Sequence, residues 1–148
     1  MENQYELVRK IVERVAAELL KNGEKRKEAG GVISVALPEV RVSEADRMDT
    51  GKEGDVVYTK DLFSLSESPR LGCGIMEMDH TCFDWTLNYD EIDYVIEGQL
   101  SVWKDGEKVT ANPGEIILIP KGSSIQFDVK EKARFIYVTY PADWSSAS

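Results

Sequence analysis

Histidine is almost missing from this chain of 148 residues: there is one, His80. It stands in Met78-Asp79-His80-Thr81, read as a loop, where Asp79 is its nearest candidate partner. A Zn2+ or Fe2+ centre needs several convergent soft or borderline ligands, so a three-histidine site is not expected. Cysteine is scarce too. Cys73 and Cys82 are too few for a disulfide framework and fit a reducing, intracellular setting. No histidine is patterned to activate either thiol, so both read as structural. The longest aliphatic stretch is Ile116 to Ile119, too short to span a bilayer. The N-terminal region carries Glu2 and Glu6 and lacks a long apolar core, so a secretory signal is not expected. Positive charge is in deficit, with 18 Lys and Arg against 27 Asp and Glu and a net charge of −9. That balance argues against nucleic acid or an anionic membrane as partner. It also disfavours a phosphate-rich ligand unless a metal or local basic groups intervene. No G-x-x-x-x-G-K-S/T loop, no strand–GxGxxG–helix unit and no G-x-S-x-G elbow occurs.

What is present reads as one domain with an appendage. Residues 1–30 carry a net charge of +1 and the remainder −10, and the residue pattern changes at the same place. From Glu6 to Leu20 the apolar residues Leu7, Val8, Ile11, Val12, Val15, Ala16, Leu19 and Leu20 recur at spacings of three and four. This is the stripe of an amphipathic helix. Glu2 and Glu6 near its start and Lys21 near its end suit the helix dipole, and Asn22-Gly23 stops it. Residues 1–22 are therefore expected as helix, 23–31 as a charged, glycine-containing linker and 32–148 as the main domain. So short a helix must dock, on the domain, on a second copy, or as a peptide in a groove of another protein.

Beyond the linker the period is two, broken by turn residues. Val32 to Val35, Val40 to Val42, Asp55 to Thr59, Cys73 to Met78 and Ala133 to Tyr140 read as strands. Asp105-Gly106 marks a hairpin between Leu100–Lys104 and Glu107–Thr110. Many short strands at near-regular spacing predict a mainly β fold, a barrel or double-sheet jelly roll, with an N-terminal amphipathic helix.

Two spaced patterns sharpen this: Glu91-x6-Gly98, then Gly114-x5-Pro120-Lys121-Gly122 sixteen residues later. They resemble the backbone halves of the two signature motifs of the cupins, whose fold is an RmlC-like jelly-roll β-barrel around a polar cavity. Most metal-binding cupins would place a histidine pair at Trp85 and Leu87, or at Asp84 and Thr86, and a third histidine at Ile125. None stands there, and with Ile125, Phe127 and Val129 facing inward that wall would be apolar. If Glu91 faces inward, alternation puts Asp93 and Val95 on the same face. Two close carboxylates raise one pKa or recruit a cation, giving a proton donor or two oxygen ligands for Mg2+. At the barrel mouth they would instead be solvated and inert.

Around them, Trp85, Asn88, Tyr89, Asp90 and Tyr94 mix aromatic walls with polar groups, as small-molecule pockets do. Gln126, Asp128 and Tyr137 are further polar candidates, and Lys121 is the best-placed cation for an anionic ligand.

The stretch Trp85-Thr86-Leu87-Asn88-Tyr89-Asp90-Glu91-Ile92-Asp93 with Glu97-Gly98 resembles the ethanolamine-utilisation EutQ family. So do Ile119-Pro120-Lys121-Gly122-Ser123-Ser124-Ile125 and Tyr140-Pro141-Ala142-Asp143-Trp144. The resemblance implies a cupin barrel, usually a homodimer, working with a bacterial microcompartment in the cytoplasm. It implies acetate kinase activity with a divalent metal. For that chemistry the residues proposed are Glu91 and Asp93 to hold Mg2+, Tyr89 or Asn88 to orient acetate, and Lys121 or Arg134 to meet phosphate. Residues 1–22 would then be an encapsulation peptide for shell or cargo proteins. A non-catalytic organiser, and a cupin isomerase or small-acid-binding protein, are the alternatives.

Overall fold

The computed structural model describes residues 3–23 and 26–145, with residues 15–23 described by their backbone alone. The chain divides into two units, residues 1–41 and 42–148. The first begins with helix α1 (Gln4–Gly23), which contains the expected stripe from Glu6 to Leu20 and ends one residue past the expected boundary at 22. Asn3 starts it, its Oδ1 accepting the Glu6 N–H at 2.8 Å, an N-terminal cap. The described part of the apolar stripe, Leu7, Val8, Ile11 and Val12, is exposed. Val15, Ala16, Leu19 and Leu20 lie outside the described side chains.

Strands β1 (Arg26–Ala29) and β2 (Val32–Val35) form a two-stranded antiparallel sheet of their own. Much of the expected linker is thus a hairpin. Gly30 and Gly31 both have positive φ, 58° and 85°, the geometry of a tight two-residue hairpin turn that glycine adopts without strain. Where a strand was expected at Val40 to Val42, a short 3-10 turn at Leu37–Glu39, with Pro38 in its first turn, precedes extended backbone.

The second unit holds β3 (Val56–Asp61), β4 (Gly72–Thr86), β5 (Asp90–Gly98), β6 (Leu100–Lys104), β7 (Glu107–Ala111), β8 (Ile116–Ile119) and β9 (Ser124–Tyr140). All pairings are antiparallel. β4 and β9 are long enough to serve both layers of a jelly roll. Gly72–Asp79 pairs with Lys132–Thr139 in one layer, flanked by β3 on one side and by β5 and β8 on the other. Thr81–Thr86 pairs with Ser124–Val129 in the second layer, extended by β6 and β7. The bend between layers is the bulge between Asp79 and Thr81. His80 is the bulged residue, with φ of 44°, so it lies inside a strand rather than in the loop the sequence suggested.

The core fills the space between layers, with Phe135, Met78, Leu100, Val95 and Val129 fully buried. On the outer face of the first layer the alternation turns apolar residues to solvent. Ile92 sits between Leu118 and Val138, and Tyr94 between Ile116 and Ile136. Ile92, Tyr94, Ile116, Leu118 and Tyr140 are all exposed there.

Candidate functional site

Strand β5 alternates strictly from Asp90 to Val95, and Glu91, Asp93 and Val95 are its buried members. Glu91 is 6% exposed and Asp93 0%. Both acids therefore point between the layers, as the spacing argument required, and neither is a solvated rim residue. Glu91 lies across from Ile119 and Thr139, and Asp93 across from Ile117 and Tyr137. Neither acid has a cationic neighbour in that register. With both carboxyls ionised, Glu91 Oε2 and both Asp93 oxygens have no hydrogen-bond partner.

A buried charge without a donor is costly, and the cost falls when the carboxyl takes a proton. Burial pushes Glu91 up to about 7. Burial, then the charge of Glu91 and a hydrogen bond to it, holds Asp93 well above the usual carboxylate range. Near neutrality Asp93 is thus the protonated partner, its hydroxyl donating to Glu91. The pair carries at most one negative charge.

Glu91 lines a cavity of about 20 Å³ whose walls are mainly aromatic. Phe83 stands 5.4 Å from Phe127 and 6.1 Å from Trp85, centroid to centroid. Trp144 closes the mouth at 6.2 Å from Trp85, 6.3 Å from Tyr89 and 5.9 Å from Tyr137. Hydrogen bonds fix these rings. Trp85 Nε1 donates to the Tyr89 hydroxyl at 2.7 Å. Asp61 Oδ1 accepts from the Tyr137 hydroxyl at 2.7 Å and from Trp144 Nε1 at 3.3 Å. Burial raises the pKa of both tyrosines, so both rings stay neutral.

Outside the cavity a wider concavity of about 340 Å³ shares Trp85, Tyr89 and Trp144 and adds Asp84, Thr86, Asn88 and Ser145. The turn carrying Lys121 is pinned beside it. Gly122 N donates to Leu87 O at 2.7 Å, Leu87 N to Ser123 O at 2.9 Å, and Lys121 N to Asp90 Oδ1 at 2.8 Å.

The sequence-derived candidates thus fall into three places. Trp85, Tyr89 and Glu91 line the cavity, with Asp93 on the same face of β5. Asn88 and Lys121 are exposed, Asn88 in the outer concavity and Lys121 in the adjoining turn. Tyr94 is on the opposite face, because it alternates with Asp93 and must point away from it. It does not belong to the site. Nor does Arg134, whose side chain is paired with Glu77 at 3.4 Å on the outer face of β9. His80 bonds Asp79 at 2.5 Å on the surface, outside the cavity. Ile125, Phe127 and Val129 form the apolar wall that the missing histidines implied. Asp61 and Trp144 were not singled out as site residues, because they meet only through a contact spanning 83 positions.

Mg2+ does not fit this acid pair. It holds six oxygens at short distance and gives up water reluctantly. The cavity is lined by one carboxyl, Glu91, among Met76, Phe83 and Phe127, and has space for little more than one water. Among the described residues no three His, Cys, Asp or Glu side chains gather as a metal site.

Two layers sharing two long bent strands, with an acid of the first motif turned into the space between them, define a cupin-type domain. A Schizosaccharomyces pombe Cnp3 cupin domain shares the fold at a TM-score of 0.56 and 16% identity, over 74% of this chain and 77% of that one. The chain belongs to the family of ethanolamine utilisation protein EutQ, whose sequence model matches residues 2–146. It is 67% identical over 122 residues to the acetate kinase EutQ of Clostridioides difficile, covering 82% of this chain and 78% of that protein. The solved Clostridium difficile EutQ protein superposes at a TM-score of 0.83 with 64% identity, over 85% of this chain and 93% of that one. The acetate kinase EutQ of Salmonella typhimurium is 41% identical over 79% of this chain, which matches 49% of that relative's length.

Proposed function

We propose that this chain transfers a phosphoryl group between ATP and acetate, giving acetyl phosphate and ADP reversibly. The observation that carries the reading is the 67% identity to a relative named acetate kinase EutQ. The reaction joins an acetate oxygen to the γ-phosphorus and breaks its bond to the β–γ bridging oxygen, which leaves with ADP. It needs positioning and charge neutralisation more than covalent help from protein. The outer concavity suits this better than the cavity beneath it. It has the volume, the amide of Asn88 and the hydroxyl of Thr86, with the Lys121 turn alongside. An acid pair without a cation repels acetate, so the interior is not the acetate site.

The test is acetyl phosphate formation from acetate and ATP with Mg2+, using wild type, Lys121→Ala and Asn88→Ala purified identically. Loss of at least roughly tenfold in either variant, one contact's worth of about 1.4 kcal/mol in the barrier, supports a site at the mouth. Equal rates in all three point to a contaminating kinase, and no activity in any removes the reading.

The apolar outer face of the first layer favours a second reading, a homodimer that organises partners in a microcompartment. Exposed apolar patches of this kind mark interaction surfaces. Ile92, Tyr94, Ile116 and Leu118 form one here, and α1 presents an exposed stripe for shell or cargo. Leu118→Lys then converts a dimer to a monomer in size-exclusion chromatography with light scattering. An unchanged mass removes this face as the dimer contact.

A further inference from the structure

The cavity beneath Trp144 has a chemistry that phosphoryl transfer leaves unused. Among the described residues its wall holds no Lys, Arg or His. It presents ring faces and edges, the thioethers of Met48 and Met76, the hydroxyl of Thr59 and, at its acidic end, Glu91. Glu91 is 6% exposed, and among the described residues the Asp93 hydroxyl is the one donor its carboxyl meets. Asp93 stands behind it, fully buried. A site of acceptors and π faces without cationic donors repels anions and attracts a compact cation with N–H groups to give. The ring set of Phe83, Trp85, Tyr89 and Trp144 is the material of an aromatic cage.

We infer that this cavity binds the head of a short primary alkylammonium ion, with Glu91 as its acceptor and the aromatic rings around it. Three features define the ligand. The volume of about 20 Å³ admits one water-sized group, so an ammonium head fits and a hydrated divalent ion does not. The partner is a carboxyl whose one donor, Asp93, lies behind it, so the side that lines the cavity calls for a donor rather than another acceptor. The cavity shares Trp85, Tyr89 and Trp144 with the outer concavity, so a short tail would leave past Trp144 toward Asn88. Asp61 holds Trp144 and Tyr137 through one oxygen and so sets the width of that exit. The site is independent of the acetate kinase reading and stands whether or not that activity is found.

The probes are methylammonium and ethylammonium chloride, compared with sodium chloride, sodium acetate and magnesium chloride at equal ionic strength. Trp85 and Trp144 sit at the site, so intrinsic tryptophan fluorescence reports it. Saturable one-site changes are expected for the two ammonium salts alone, with affinity at least tenfold weaker in Glu91→Gln. Because that variant touches the core, wild-type protein is also read by NMR for NOEs from ethylammonium protons to the rings of Phe83 and Trp85. Saturation by acetate or magnesium instead of ammonium overturns the inference. So does ammonium affinity unchanged in folded Glu91→Gln, or the absence of those NOEs at saturating ethylammonium.

Discussion

Glu91→Gln raises the melting temperature at pH 8 by roughly 5–15 °C and changes it little at pH 5. The sign follows from the direction of the shift. In the unfolded chain Glu91 titrates near its ordinary value of 4.5, and in the folded protein burial moves it to about 7. A raised acid contributes stability that is full below the unfolded value and is lost as pH rises through the folded one. Between pH 5 and pH 8 the wild type therefore loses about 2–3 kcal/mol on this group, at about 1.4 kcal/mol per pH unit between the two values. Glutamine has nearly the same shape and no charge to bury, so it escapes the loss. Asp93 is shifted upward too, since burial and the charge of Glu91 both oppose its ionisation. Parallel thermal melts of the two proteins from pH 5 to pH 8 check this. Curves that run parallel would mean that Glu91 is already ionised, and accommodated, at the acid end.

Gly98→Ala is expected to be the more damaging change, leaving protein that is insoluble or melts more than roughly 10 °C lower. Gly98 ends β5 opposite Ala133, just past the irregular step between Val95 and Glu97. Its φ of 78° is left-handed, and a Cβ there would stand 1.8 Å from the Lys132 carbonyl oxygen and 2.9 Å from the Ala133 Cα. Both obstacles are backbone of β9, the strand shared by the two layers, so no rotamer change relieves them. Left-handed strain alone costs about 1–2 kcal/mol. The clash adds to it and consumes much of the roughly 5–15 kcal/mol that holds a domain together. Gly106→Ala is the matched control, with φ of 79° and nothing within 4 Å of its added Cβ. Circular dichroism melts should show a small loss for Gly106→Ala and a large one for Gly98→Ala. Equal losses would mean that backbone strain, not the approach to β9, decides both.

Alternation along β5 was enough to place Glu91, Asp93 and Val95 together, because a strand buried on one face has no other way to dispose of them. The same rule, applied one residue further, excludes Tyr94, whose aromatic character had drawn it into the site. Asp105-Gly106 announced its hairpin through residues that tolerate positive φ, and both have it, at 52° and 79°. The lengths of β4 and β9 were not legible. Each bends at an irregularity that interrupts the period-two pattern, so the apolar runs read as separate short strands. Residues 26–31 looked like linker because both faces of that hairpin are largely exposed, which removes the alternation that marks a strand. Asp61 and Trp144 were not read as site residues for another reason. Their partnership depends on how the chain returns across the barrel mouth, and nothing in either local sequence encodes it.

The buried, proton-sharing acid pair is the feature on which the site's chemistry turns, and its titration can be observed directly. Side-chain carboxyl carbons of Glu91 and Asp93, followed by 13C NMR from pH 4 to pH 9 and assigned with Glu91→Gln and Asp93→Asn, report each group in place. Glu91 changing near pH 7 while Asp93 stays protonated beyond it is the expected result. Both carboxyls completing ionisation below pH 5 would contradict it, and would mean that a donor or cation reaches them in solution.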